Sequence, residues 1–304
     1  MTTEPEQTPS APAGPEREWR AWHELRTATV TSPHGPLSLT GTHWLSDHPD
    51  GRLPGVPGTW REAGDAGAAG DAGAAVVLTA APEDGILLDG KPLSGTVELS
   101  ADHAPVPRSR LAVGERRLVV LRREGLWAVR DFDPDAPARH AFAGILATPY
   151  DPRWAVPGTY RPYAERRSVR VGNADGRERG LGLSGELVFA LGVSGGPGGP
   201  GGPGGSGEPG GPGEVAVEHT LQVAEEEDGS LWAVFADATS GRDSYRFRFL
   251  RPPAPGPDNR VTVDFNRALL PPCAFADHFI CPFPPPGNTL SVPVPAGERK
   301  PLTR

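Results

Sequence analysis

A chain of 304 residues could hold one large domain or two small ones, but 40 Gly and 37 Pro make about a quarter of it, so the packed part must be smaller than the length suggests. The net charge of −8, with acids and arginines interspersed, leaves no basic face for a phosphate backbone and excludes nucleic acid as an expected partner. No run reaches the apolar length of a membrane span, Met1 to Glu18 lack the cationic start and apolar stretch of a secretory signal, and two cysteines are too few for a disulfide framework, so a cytoplasmic protein is expected.

Residues 1–15 are polar and proline-rich and are expected to be a disordered tail, because they can bury too little to offset ordering entropy. Residues 16–304 are expected to form a single mainly-β domain. Glu16 to Thr29 places Trp19, Trp22, Leu25 and Arg26 at helical spacing and predicts one N-terminal helix. From Leu37 onward, short apolar runs separated by Gly, Pro and Asp predict antiparallel strands. The clearest are Ala75–Ala80, Thr96–Leu99, Arg117–Arg122, Leu126–Asp131, Ser168–Val171, Glu186–Leu191, Val215–Val223, Leu231–Ala236, Tyr245–Leu250 and Val261–Phe265. Arg123-Glu124-Gly125 should turn a hairpin, and Asp89-Gly90 a second one within Ile86 to Leu99.

Two low-complexity stretches, the tandem hexapeptide at 64–75 and the Gly-Gly-Pro run at 194–213, read as flexible loops, since lengthening a loop costs little entropy. With no long helical periods between strands, parallel βαβ units are not expected. The fold class is therefore an antiparallel β-sandwich or partly open barrel with one N-terminal helix and a Pro-rich C-terminal strap.

No phosphate-loop, dinucleotide or nucleophile-elbow pattern is present, and no cofactor is implied. His34, His43 and His48 near Asp47 and Asp50 lack a ligand spacing and read first as a turn. Polar residues gather instead where strands run out. Asp237-Ala238-Thr239-Ser240-Gly241 follows one strand and Asp264-Phe265-Asn266-Arg267 another, and prolines at 271, 272, 282, 284, 285 and 286 forbid regular structure beyond them. That segment must cross the rest of the protein as a strap, with Asp264, Asn266 and Asn288 as natural anchors and Asn266 able to cap a short turn from Arg267 to Leu270. Cys273 and Cys281 read first as buried thiols, second as a disulfide, and third, with His278, as metal ligands.

These residues resemble the signature of a bacterial and archaeal family known only as domain of unknown function 1684. The likeness rests on Asp264 to Ala268, Pro271 to Phe275, Cys281-Pro282, Pro285-Pro286, Asn288 to Leu290 and Ala296 to Glu298, with Asp237, Thr239, Gly241 and Tyr245 upstream. The sequence departs from the family where Arg246-Phe247-Arg248 replaces a glycine-rich step and where Leu269-Leu270 replaces Tyr-Asn. The resemblance implies shared fold and ancestry and brings no established activity.

Two kinds of function remain open. One is a small-molecule-binding or hydrolase-like pocket formed by strand ends and the strap, with Asp237, Tyr245, Asp264 and Glu298 as catalytic candidates and Arg130, Asp131, Asn266 and Asn288 as ligand-binding candidates; it requires a carboxylate of raised pKa inside a cleft. The other is a non-catalytic β scaffold or protein-interaction module, which requires an accessible sheet edge or apolar patch.

Overall fold

The computed structural model describes residues 14–63, 75–193 and 215–304. The low-complexity stretches, apart from Ala75, and all but the last two residues of the expected tail lie outside them. Helix α1 (Pro15–Thr31) starts with Pro at its first turn, followed by Glu16 and Glu18, which suit the positive end of the helix. Among the described residues seventeen strands then follow, interrupted by single 3-10 turns and by one short α-helix, α2 (Pro137–Ala141). They are β1 (Leu39–Trp44), β2 (Thr59–Glu62), β3 (Val76–Ala80), β4 (Ile86–Leu88), β5 (Lys91–Pro92), β6 (Gly95–Leu99), β7 (Leu111–Val113), β8 (Arg116–Arg123), β9 (Leu126–Phe132), β10 (Phe142–Ala147), β11 (Ala155–Gly172), β12 (Glu178–Val193), β13 (Val215–Glu225), β14 (Leu231–Phe235), β15 (Arg248–Leu250), β16 (Arg260–Asp264) and β17 (Glu298–Thr303). Every strand pair is antiparallel. Among the described residues no helix is long and apolar enough to cross a membrane.

The first half is a sandwich. A six-stranded sheet, β1-β9-β8-β7-β4-β5, faces the three-stranded sheet β2-β3-β6, and Trp60, Leu78, Ile86, Leu118, Val120, Trp127 and Val129 fill the space between. Period-two alternation decides the inward face: β3 buries Val76, Leu78 and Ala80. Both hairpins anticipated here close on paired left-handed residues, Asp89 (φ 49°) with Gly90 (φ 77°) and Glu124 (φ 47°) with Gly125 (φ 84°), the geometry whose twist matches that of the strands it joins.

The second half is a curved six-stranded sheet, β15-β14-β13-β12-β11-β16, rolled into a half-barrel around Phe189, Phe235 and Phe265. These rings meet edge to face, Phe265 lying 5.4 Å from Phe189 and 5.8 Å from Phe235. The long β11–β12 hairpin leaves the barrel and reaches the sandwich. There Arg177 pairs with Asp47 at 2.9 Å, Arg177 and Arg179 cover the Trp44 ring, and the Gly180 amide donates to Glu124 at 2.7 Å.

One strand expectation needs correcting. Tyr245–Leu250 was expected to be extended throughout, but only Arg248–Leu250 pairs as a strand, with β14. The preceding residues are held by the end of the chain instead, the Tyr245 amide donating to the Arg299 carbonyl at 2.7 Å.

The strap begins where β16 ends. Leu269 exchanges both backbone bonds with Phe249 on the outer edge of β15. The chain then crosses to the β11–β12 hairpin, where Ala174 donates to the Cys281 carbonyl and Phe283 donates to the Gly172 carbonyl. It returns so that Thr289 bridges Ala236 at the end of β14, and finishes in β17, which pairs with β10. Phe265, Leu270, Leu290 and Val294 are sunk into apolar clusters along this path, each worth about 2 kcal/mol of burial. The strap therefore forms one wall of the barrel.

Candidate functional site

Asp237 follows β14 directly, and there its carboxylate meets the guanidinium of Arg248 at 2.7 Å, with neither side chain exposed. The other Asp237 oxygen accepts the amides of Thr239 at 2.7 Å and Val294 at 3.1 Å. Arg248 donates onward to the carbonyls of Val294 at 2.8 Å and of Ala296, and lies over the Phe235 ring at 5.2 Å. Burial pulls its pKa below the ordinary value against the opposing pull of Asp237. The pair thus welds the end of β14 and the strand β15 to the last turn of the strap.

Glu298, also fully buried, accepts the Leu270 amide on one oxygen at 2.7 Å and Arg26 Nε on the other at 3.3 Å. Arg26 Nη2 reaches the Leu270 carbonyl at 2.9 Å, so helix α1 closes the same knot. Burial raises the Glu298 pKa, outweighing Arg26, the Leu270 amide and Arg248, which all pull it down. The raised carboxyl that a pocket requires is therefore present, but it is sealed between α1, β17 and the strap rather than set in a cleft.

Asn266 exchanges a pair of bonds with the backbone of Asp151, each at 3.0 Å, and donates to Asp264 at 2.9 Å. The turn here is capped by Asp264, whose side chain accepts the Asn266 amide, and not by Asn266 as the sequence suggested. The reason is position: Asp264 is the last strand residue, and a cap must precede the amides it satisfies. The Asn266 carbonyl accepts the indole N–H of Trp19 at 2.8 Å, a second anchor for α1.

Asn288 fills a gap in the barrel wall. β13 and β14 pair only at Ala224–Trp232 and Glu225–Leu231. Beyond that point the Asn288 side-chain amide sits between them, accepting from the Gln222 amide at 2.8 Å and donating to the carbonyls of Gln222 and Val234 at 2.9 Å each. A side chain replaces a missing peptide of the ladder, which only an amide can do, because the site requires both a donor and an acceptor.

The remaining candidates lie apart from these. Tyr245 donates to the Cys273 carbonyl at 3.0 Å. Arg130 lies over the Phe279 ring at 5.3 Å, its Nε unpartnered, and burial lowers its pKa to about 10. Asp131, its neighbour on β9, points elsewhere and pairs with Arg116. Cys273 and Cys281 are free and buried, whereas His278 is exposed. Among the described residues no group of three or more His, Cys, Asp or Glu side chains is placed to hold a metal ion. Grooves of about 770 Å³, beside Pro157–Thr159 and Val188–Ala190, and about 380 Å³, beside Leu37–Thr40 and Ala274–His278, are lined by none of the eight candidates.

The signature residues around these anchors are those that a known family shares. The profile of a family described as "Protein of unknown function (DUF1684)" matches residues 140–195 and 204–299, half of the chain. The chain belongs to the DUF1684 family. The matched span contains β10, the half-barrel and the strap as far as the start of β17, so the DUF1684 signature covers the anchors Asp237, Asn266, Asn288 and Glu298. No curated protein matches the chain. The solution structure of an uncharacterised protein from Haloarcula marismortui is similar, 28% identical over 52% of this chain and 77% of that one, with a TM-score of 0.37.

Arg248, Arg26 and Trp19 are participants that the sequence does not mark as site residues, Trp19 and Arg26 reading only as part of the helix pattern. A guanidinium inside the apolar run Phe247-Arg248-Phe249-Leu250 was the available sign for the first, because an arginine flanked by buried positions needs an internal partner.

Proposed function

We propose that this DUF1684 chain works as a non-catalytic β scaffold, in which the signature side chains lock a wall of the barrel in place. The observation that carries this reading is that Asp237, Asn266, Asn288 and Glu298 spend every polar side-chain atom on other protein groups. A carboxylate reserved for a substrate would keep an oxygen facing a cavity. For a partner protein, the end strands β5 and β6 offer sheet edges: Lys91 and Pro92 of β5 and most of β6 are exposed.

The test exploits the opposite stability effects of structural and catalytic carboxylates. Catalytic residues are commonly replaced with little loss or a gain of stability, whereas anchors are not. Thermal melts of Asp237→Asn should fall well below the parent, and a metabolite library should leave the parent's melting temperature unchanged. A variant that melts higher than the parent, together with a compound that stabilises the parent alone, would overturn the scaffold reading in favour of a ligand pocket at Asp237.

A further inference from the structure

The two cysteines are eight positions apart on the strap, and the fold brings them together. The Cys273 amide donates to Cys281 Sγ at 3.4 Å, which sets the second sulfur against the backbone of the first cysteine. Around them the charge is one-sided. Arg246, exposed to solvent, lies over the rings of Tyr245 at 5.6 Å and Phe283 at 4.8 Å, where its charge favours the Cys273 thiolate. Tyr245 Oη lies 3.7 Å from the same sulfur. Arg130, over the Phe279 ring at 5.3 Å and with an unpartnered Nε among the described residues, has Cys281 as the group of opposite potential charge acting on it. Two guanidiniums, stacked on Phe279 and Phe283, therefore act on the dithiol, the surroundings that make a thiolate.

We propose that Cys273 and Cys281 form a redox dithiol, in which Cys273 attacks hydroperoxides and Cys281 resolves the product to a disulfide across the strap. The direction of attack follows from what each sulfur touches. The neighbourhood of Cys281 first, then of Tyr245 and Arg246, holds the Cys273 thiol below the usual range against burial, whereas the same contact and burial push Cys281 up. Tyr245 itself is raised to about 12, so it stays a neutral phenol able to donate. Cys273 is 4% exposed, one side chain beneath solvent-facing Arg246, a depth that a water-sized peroxide reaches more readily than a bulky disulfide does.

The chemistry balances without a cofactor. The Cys273 thiolate attacks one peroxide oxygen; the S–O bond forms, the O–O bond breaks, and hydroxide (or alkoxide) leaves and takes up a proton, giving a sulfenic acid. Cys281 sulfur then attacks Cys273 sulfur; the S–S bond forms, the S–O bond breaks, and the departing hydroxide takes the Cys281 proton as water. Two thiols are oxidised and one peroxide is reduced. This chemistry is independent of the scaffold reading, because none of the four anchors takes part.

The experiment uses the full chain, reduced and freed of reductant, with hydrogen peroxide as the probe. The chain has only two cysteines and one methionine, so intact mass separates the outcomes. Loss of two hydrogens per chain with a linked Cys273–Cys281 peptide supports the proposal. With Cys281→Ser the sulfenic acid should persist and be captured by dimedone at Cys273, and with Cys273→Ser no adduct should form. Arg246→Gln should slow the oxidation of the otherwise unaltered chain by about tenfold, the effect of withdrawing a neighbouring cation from a thiolate. Peptide mapping of the parent decides alone if a cysteine variant fails to fold. Thiols that stay reduced until the chain is unfolded, a disulfide between chains, or dimedone capture at Cys281 in the Cys273→Ser variant would each overturn it.

Discussion

Replacing Asn288 with Ala removes the amide that stands in for a peptide between β13 and β14, and the cost can be worked from its partners. The Gln222 amide and carbonyl, part-buried, and the buried Val234 carbonyl all lose their bonds at once. Nothing on β13 or β14 can replace them, because the strands have separated by that point. Orphaned groups of this kind cost about 1 kcal/mol where water reaches them and about 2 where it does not, which gives about 4 kcal/mol in total. For a chain of this size that is a fall of roughly 10 °C in melting temperature. Equilibrium denaturation in guanidinium, followed by tryptophan fluorescence, should show an earlier midpoint with the slope unchanged. Asn288→Asp should lose a comparable amount despite its near-identical shape, because it presents an oxygen to two carbonyls. A loss below about 1 kcal/mol in both variants would mean that the amide does not hold the wall, and the anchored-strap account would fail with it.

Other substitutions probe the same wall. Arg248→Met should cost about 3 to 5 kcal/mol by stranding a buried Asp237, and adding Asp237→Leu should recover part of that loss in a double-mutant cycle measured by denaturation. Gly297→Ala should destabilise by about 3 kcal/mol or more: φ is +77°, and a Cβ would lie 2.6 Å from the Ala268 carbonyl oxygen and 2.7 Å from that of Phe265. Glu298 makes stability pH-dependent. Its folded pKa is raised, chiefly by burial, so its contribution is full below the unfolded value and is lost as pH rises through the folded one. The stability gap between the parent and Glu298→Gln, measured by melts from about pH 4 upward, should therefore narrow with increasing pH.

Much of the architecture was legible from local pattern. Strand alternation and the Asp89-Gly90 and Glu124-Gly125 turns are decided by residues next to one another, and the sandwich strands emerge where period two places them. The strap was legible for a different reason: proline forbids the alternatives, so only its anchors had to be found, and short amides and carboxylates at strand ends were the natural candidates. What could not be read was where those anchors point. Asn288 lies in chain order among prolines, and nothing near it indicates that β13 and β14 part 54 to 66 residues earlier. Tyr245 opens an apolar run that reads as a strand, yet its amide donates to the Arg299 carbonyl, 54 residues on, instead of to a neighbouring strand. Asp237 and Arg248 are only 11 residues apart and meet through the pairing of β14 with β15, but their shared partner Val294 lies 46 to 57 residues further on, beyond any local window.

Helix α1 has a further consequence for how the molecule is made. Its indole anchor, Trp19, waits for a carbonyl 247 residues downstream, and Arg26 for a carboxylate 272 residues away. A ribosome adding 5 to 20 residues per second needs roughly 12 to 50 s to supply the first of these. Through that interval the C-terminal end of the helix can already pack, Val30 against Leu37 and Phe142 and the Thr31 carbonyl on Arg139, while the turns bearing Trp19 and Arg26 lack their partners. An unfinished translation product would therefore display an indole that the completed molecule has put to use.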